Sequence, residues 1–217
     1  MSPIRHPPFI TFEGLDNSGK TTQQKRLAQW LRHRHIDVVA TREPGGTPLA
    51  EQIRSLLCDP HIQCQPLSEL LLLYAARYEH IHTCLKPARL RHAWVLCDRF
   101  IDSSLCYQGA GMGVDSGVID TLRTIIAHEW TPHRTFILDI PAQNVLQREK
   151  DGRPTARYEQ MGHAFYERVR ACFLTLARQE PHRCVVIDGL AEEESIAYTI
   201  QQDITKHFLN ASPCPSL

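Results

Sequence analysis

Apolar, β-rich runs alternate with segments of helical periodicity along this chain. Runs at 9–13, 36–41, 93–97, 134–140 and 183–187 read as strands. Between them, apolar positions recur at helical spacing over about 20–34, 48–58, 67–91, 115–128, 142–150, 158–179 and 192–209. Strands separated by helices predict a parallel sheet covered on both faces, with right-handed crossovers. The expected fold class is therefore α/β, a three-layer sandwich with a five-stranded parallel sheet flanked by helices. Such sheets bind ligands beyond the carboxyl ends of their strands, so the loops after the strands carry the interest. No repeat, low-complexity segment or Pro/Gly/Ser-rich linker interrupts the pattern, which predicts a single domain over 1–217 with a ragged tail at about 210–217.

Composition narrows the picture by exclusion. Hydrophobic residues make up 42% and charged residues 22%, as in an ordinary globular protein. Lys plus Arg and Asp plus Glu both number 24, so no global charge points to nucleic acid or membrane, and anion binding has to be local. The eight cysteines form no C-x-x-C pair, and several sit in apolar runs such as Val95-Leu96-Cys97, which suggests buried reduced thiols. Residues Met1 to Pro8 hold no apolar h-region and no run reaches membrane-span length, so a cytoplasmic protein is expected. Cys214-Pro215-Ser216-Leu217 is a poor prenylation box because of its prolines. His80-x-His82 and His33-x-His35 alternate across a helix and read as surface histidines rather than a zinc site.

The strongest chemical signal is Gly14-Leu15-Asp16-Asn17-Ser18-Gly19-Lys20-Thr21, which fills every fixed position of the phosphate-binding pattern G-x-x-x-x-G-K-[ST]. It lies between the first strand and the first helix, as the chemistry requires. The glycines let backbone N–H groups wrap an anionic oxygen cluster, and the helix N-terminus directs partial positive charge at it. Lys20 is suited to the β- and γ-phosphates and the Thr21 hydroxyl to Mg²⁺. Asp98 closes the third strand, where phosphate-loop proteins place a carboxylate for Mg²⁺, and the Arg99 guanidinium beside it matches a phosphate bidentately. Thr41-Arg42-Glu43-Pro44-Gly45-Gly46-Thr47 forms a tight turn after the second strand. A basic segment with Gly/Pro punctuation, Arg148 to Arg157, has the composition of a mobile lid at about 148–158 or of a solvated charged face.

Together these blocks resemble the thymidylate kinase family, in its bacterial-type branch. The likeness includes Glu13 to Thr22, Thr41 to Glu51, Leu72-Leu73-Tyr74-Ala75-Ala76-Arg77, Asp98-Arg99-Phe100 with Ser103 and Tyr107-Gln108-Gly109, and Arg157-Tyr158-Glu159. It runs from about Phe9 to about Phe208. The resemblance implies a P-loop nucleotide kinase that transfers the γ-phosphoryl group of ATP to dTMP with Mg²⁺, as a homodimer. It implies that residues Gly14, Leu15, Asp16, Asn17, Ser18, Gly19, Lys20, Thr21 and Thr22 hold the ATP phosphates, with Arg148 assisting. Thr21 and Asp98 would position Mg²⁺. Asp16 would accept the deoxyribose 3′-hydroxyl or organise the acceptor phosphate. Arg99 would clamp that phosphate, with Arg42 as a second contact. Arg77 would meet the thymine edge, helped by Ser103, Ser104 and Gln108, and Tyr107 would press on the sugar and reject a ribose.

Two positions depart from the family pattern. Asn17-Ser18 replaces the basic or Gly-Ala middle of the loop, so transition-state charge falls to the lid, with Arg157 leading and Arg153 and Arg148 behind it. Leu73 stands where an aromatic usually stacks on thymine, unless Phe100 or Tyr74 covers the ring. The neighbouring readings are a broader deoxynucleoside monophosphate kinase and a non-catalytic ATP-binding regulator. A GTP switch lacks its Asn-Lys-x-Asp motif here. Replacing Arg157 and Arg153 together by Ala is expected to lower kcat, and full activity in that double variant contradicts the assignment of catalytic charge to the lid.

Overall fold

The structure, a computed structural model, describes residues 6–150 and 161–210, with the side chains of all of these except 148–150. Five parallel strands form one sheet in the order β2-β3-β1-β4-β5. They are β1 (Phe9–Glu13), β2 (Val38–Arg42), β3 (Trp94–Asp98), β4 (Arg134–Asp139) and β5 (Cys184–Asp188). The helices are α1 (Lys20–Arg32), α2 (Pro48–Cys58), α3 (Pro66–His80), α4 (Lys86–Leu90), α5 (Ile101–Ser104), α6 (Ser116–Ala127), α7 (Ala142–Lys150), α8 (Gly162–Gln179) and α9 (Glu193–Ile204). Every predicted strand is present, shifted by no more than two residues at an end.

β1 is buried along its whole length, because both of its faces are covered. Ile10 and Phe12 join Leu27 and Leu31 of α1 and Ile200 and Ile204 of α9 on one side. Phe9, one residue out of phase, packs with Val95, Phe100 and Trp130 on the other. A third cluster sets Ile137 against Tyr166, Val169 and Phe173 of α8. Each fully buried side chain of this size contributes about 1.5–3 kcal/mol relative to exposure, so the centre of the sheet is the rigid part of the molecule.

Two helical expectations change. The pattern over 67–91 is not one helix: between α3 and α4 the chain widens into a π-helical turn at Ile81–Leu85, where the Lys86 N–H donates to the Ile81 carbonyl. Pro87 is the reason, since it lacks an N–H for the carbonyl four residues back and its ring crowds that carbonyl. A helix after β3 was not expected; α5, with Ser103 and Ser104, runs into a π-helical segment, Leu105–Gly111, and these serines and the segment's glycines blur the periodicity. α9 likewise ends in a π-helical turn at Thr205–Leu209. Of the expected lid, 148–150 are the last turn of α7 and 151–158 lie outside the described residues, as does the tail from 211. None of the described helices is long and apolar enough to cross a membrane.

A polar seam runs beneath the sheet centre. Thr11 and Thr135 are cross-strand partners with hydroxyls 2.8 Å apart. Arg183 donates to Thr135 (2.8 Å) and grips Asp102 of α5 through two bonds of 2.7 and 2.9 Å. Both members of this ion pair are 5% exposed. Removing one partner of such a pair leaves a buried charge uncompensated. Asp102→Ala is therefore expected to lose about 3–5 kcal/mol in urea unfolding; a loss within the range of a surface substitution contradicts the seam's role in docking α5.

Candidate active site

The loop from Gly14 to Gly19 leaves the central strand and enters α1. A Cβ on Gly14 would sit 2.4 Å from the Leu138 carbonyl oxygen, so no other residue fits where β1 and β4 approach. Lys20, buried, folds back to donate to the Leu15 carbonyl at 2.6 Å and to Ser18 Oγ at 3.4 Å. Burial, and then the nearby Arg99 charge, push its pKa down to about 8 although Asp98, Asp16 and Glu13 pull the other way. Thr21 donates its hydroxyl proton to the Asp98 carboxylate, which brings together the two oxygen groups the sequence paired.

Arg99 is a hub of hydrogen bonds beside the loop. Its Nη1 donates to the Gly14 carbonyl and to Ser103 Oγ, both at 3.0 Å, and its Nη2 to Asp16 (2.6 Å) and the Tyr107 hydroxyl (3.1 Å). Its backbone lies in the left-handed region at φ 68°, a conformation that costs a non-glycine residue about 1–2 kcal/mol. The four side-chain bonds and the Arg99 N–H to the Phe12 carbonyl (2.9 Å) hold it there. Asp16 also accepts from Tyr107 (3.2 Å). Burial disfavours its charge, but Arg99 and Lys20 outweigh that and hold its pKa below the ordinary value.

Two buried carboxylates, neither of them among the expected site residues, frame these groups. Glu13, at the end of β1, accepts from the Phe100 N–H (2.8 Å) and from Ser103 (2.6 Å), tying the loop's first residue to α5. Glu43 accepts from Arg77 Nε at 2.7 Å and pairs with His80 Nδ1 at 2.9 Å. Arg77 Nη2 also donates to the Phe100 carbonyl and to Ser104 Oγ, each at 3.1 Å, while its buried Nη1 finds no partner among the described residues. Thus an acid inside the turn after β2 anchors the arginine of α3. An acidic residue beside a Pro-Gly-Gly turn was the available signal. His80, expected at the surface, is instead fully buried, because Glu43 and Thr41 Oγ (2.7 Å) satisfy both ring nitrogens.

A cavity of about 820 Å³ joins these elements. It is lined by Asp16, Asn17, Lys20 and Thr21 of the loop, by Arg42, Leu73 and Arg77, and by Asp98, Arg99, Phe100, Ser103, Ser104, Tyr107 and Gln108. Gln108 is held by Glu69 (2.9 Å) and Arg42 by Glu51 (2.9 Å). Tyr74 does not line it: its ring is buried and its hydroxyl turns to the Ile119 carbonyl, so of the two rings considered opposite Leu73 only Phe100 faces the cavity. The side chains of Arg148, Arg153 and Arg157 lie outside the described residues.

A parallel sheet with a phosphate loop at the end of its central strand and an acid at the end of the neighbouring strand defines a P-loop nucleotide-binding protein. The thymidylate kinase family model matches residues 12–200. The chain is 45% identical to the thymidylate kinase of Caulobacter vibrioides, over 91% of this chain and 96% of that protein. It is 42% identical to the thymidylate kinase of Chromohalobacter salexigens, over 98% and 100%. The crystal structure of thymidylate kinase from Ehrlichia chaffeensis superimposes with a TM-score of 0.74 at 38% identity, covering 91% of this chain and 98% of that one. The chain belongs to the thymidylate kinase family.

Burial, reinforced by Asp102, raises the Glu13 pKa from 4.5 to about 8, against Arg99 and the hydrogen bonds from Ser103 and Phe100. An acid whose pKa is higher folded than unfolded binds its proton more tightly when folded. Its contribution to stability is then largest below pH 4.5 and is lost as pH rises to about 8. Glu13→Gln keeps the shape without the charge, so its melting temperature is expected to gain on that of the parent as pH rises through this window. Parallel melting profiles contradict a buried Glu13 charge.

Proposed function

We infer that this chain transfers the γ-phosphoryl group of ATP to dTMP, giving dTDP for dTTP synthesis. The observation that carries the reading is the single cavity shared by the phosphate loop and by the Arg77, Arg99 and Tyr107 side chains. It allows a donor and an acceptor nucleotide to lie end to end, and phosphoryl transfer needs little beyond positioning and charge neutralisation. The acceptor phosphate is itself an anionic nucleophile, so no general base is required.

The geometry supports the following residue roles. Backbone N–H groups of Gly14 to Thr22 and the Lys20 ammonium hold the ATP phosphates; a lysine already depressed by burial regains its charge fully beside them. Thr21 and Asp98 offer only hard oxygen ligands, which suits Mg²⁺, and they would hold it together with phosphate oxygens. When bound, Mg²⁺ supplies neutralisation of the phosphate charge. Arg99 meets the 5′-phosphate of dTMP, with Arg42 as a second contact. Asp16, oriented by Arg99 and Tyr107, accepts the 3′-hydroxyl, and the Tyr107 ring occupies the space a ribose 2′-hydroxyl would need. Arg77 directs its remaining donor at the base, whose edge is completed by Ser103, Ser104 and Gln108. Phe100 and Leu73 supply the apolar walls.

The segment at 148–158 acts as the lid, with Arg157 foremost, then Arg153 and Arg148, as the source of catalytic charge over the loop's neutral Asn17. The whole chain works as one kinase domain. The seven described cysteines are all free thiols, in keeping with a cytoplasmic protein. Leu67, Leu71 and Tyr78 on α3 are about half exposed, which supports a homodimer through that helix.

A coupled ADP assay with dTMP, dUMP, dCMP and dGMP tests the activity. Strong dependence on dTMP is expected, and turnover indifferent to the acceptor contradicts it. Leu73→Phe is expected to lower KM for dTMP by about two- to tenfold, from an added aromatic contact of about 0.5–1.5 kcal/mol. An unchanged or raised KM shows that Phe100 already provides the ring contact.

A further inference from the structure

Helix α3 turns one face to the cavity. Glu69, Leu73 and Arg77 follow one another at helical spacing along it, and all three line that space. Glu69 is 2% exposed and reaches across to Gln108, itself 1% exposed, in the π-helical segment Leu105–Gly111. Gln108 Nε2 donates to Glu69 Oε1 at 2.9 Å. The main chain of Gln108 is held as well, since its carbonyl accepts from the Val114 N–H at 2.9 Å. A second tie joins the same two elements: Arg77 Nη2 donates to Ser104 Oγ at 3.1 Å, one turn before Gln108.

A carboxylate oxygen offers lone pairs, so the end of the amide that meets it has to be the N–H₂. Turned over, the amide would set oxygen against oxygen where burial makes an unmet acceptor costly. We propose that Glu69 is a positioning residue: by holding the Gln108 N–H₂ it makes the Gln108 oxygen the atom that reads the N3–H of the acceptor base, and so excludes cytosine. The proposal rests on the dTMP reading above. An amide oxygen carries two lone pairs, so it can accept from the base beside any other donor that reaches it.

Arg77 supplies the neighbouring half of the same reading. Its buried Nη1 is a donor with no partner among the described residues, and Glu43 holds the guanidinium as Glu69 holds the amide. A donor beside an acceptor matches the O4 and N3–H of thymine or uracil. Cytosine reverses both, with an N–H₂ at position 4 and a bare nitrogen at position 3. Donor would then face donor and acceptor face acceptor, out of reach of water. A site built to hydrogen-bond one pattern rejects a mismatched one far more strongly than an apolar wall rejects a missing methyl group. Glu69 therefore bears on the choice between thymine and cytosine, and not on the choice between thymine and uracil.

The test titrates dTMP, dUMP and dCMP into the full chain by calorimetry, in the parent and in Glu69→Gln. That substitution keeps the shape but lets either end of the Gln108 amide face it. The preference for dTMP over dCMP is expected to fall by about tenfold or more, the worth of one hydrogen bond to a base, through weaker dTMP and tighter dCMP binding. The preference for dTMP over dUMP is expected to stay unchanged. The exchange variant, Glu69→Gln with Gln108→Glu, again fixes an acceptor at position 108. It is expected to keep most of the parent's preference over dCMP, and it carries the test if Glu69→Gln does not fold. Equal weakening for all three nucleotides, as a merely structural Glu69 would give, overturns the proposal. So does an unchanged preference over dCMP in Glu69→Gln, or an exchange variant that has lost that preference. A parent that binds dTMP no better than dCMP overturns the proposal and leaves dTMP as a substrate, whereas a parent that binds none of the three refutes the dTMP reading on which the proposal rests.

Discussion

The buried ion pair between Glu43 and Arg77 is the constraint on which one wall of the cavity depends. Both side chains are almost wholly removed from water. Taking two charges out of solvent costs several kcal/mol each unless their remaining hydrogen-bonding capacity is met. Here most of it is met. Glu43 accepts from His80 as well as from Arg77, and its backbone N–H extends the sheet to the Asp98 carbonyl at 3.0 Å. Arg77 spends Nη2 on Phe100 and Ser104, which leaves Nη1 without a partner among the described residues. The turn after β2, helix α3 and the start of α5 are thereby locked into one wall. A Cβ on Gly46 would approach Thr41 Oγ to 2.4 Å, which is why the turn carries glycine at that point.

Glu13 does for the phosphate loop what Glu43 does for that wall. It joins the first residue before the phosphate loop to the backbone of Phe100 and the hydroxyl of Ser103, while Ser103 accepts from Arg99. Both carboxylates stand at or just past the carboxyl ends of strands, Glu13 on the central strand and Glu43 after the edge strand β2. Arg77 and Ser103 are thus held by carboxylates on or next to the sheet rather than by loops alone. The cost is a set of mutually perturbed charges, visible in the lowered Lys20, the raised Glu13 and the lowered Asp16. Anionic substrates complete that charge pattern.

Much of this was legible from the residues. Continuous apolar runs located the strands because a doubly covered parallel sheet leaves no solvent face to break them. The loop was legible because its chemistry demands a fixed spacing, and Asp98 because it closes a strand. What escaped detection was long-range pairing. Nothing local marks Glu43 as the partner of Arg77, 34 positions away, or Asp102 as the partner of Arg183, 81 positions away. His80 is buried for the same reason, since helical alternation describes faces and not which carboxylate waits opposite. The break at Ile81–Leu85 was signalled by Pro87, a breaker inside an otherwise persuasive helical pattern.

The most direct test of the central claim is the affinity of Arg77→Lys for dTMP. Lysine keeps a charge beside Glu43 but loses the planar fork that serves Glu43, Phe100, Ser104 and the ligand together. The account predicts a KM for dTMP raised by about ten- to a hundredfold, equivalent to one or two lost buried hydrogen bonds, with the KM for ATP unchanged. Unaltered dTMP affinity in a folded Arg77→Lys enzyme would contradict it.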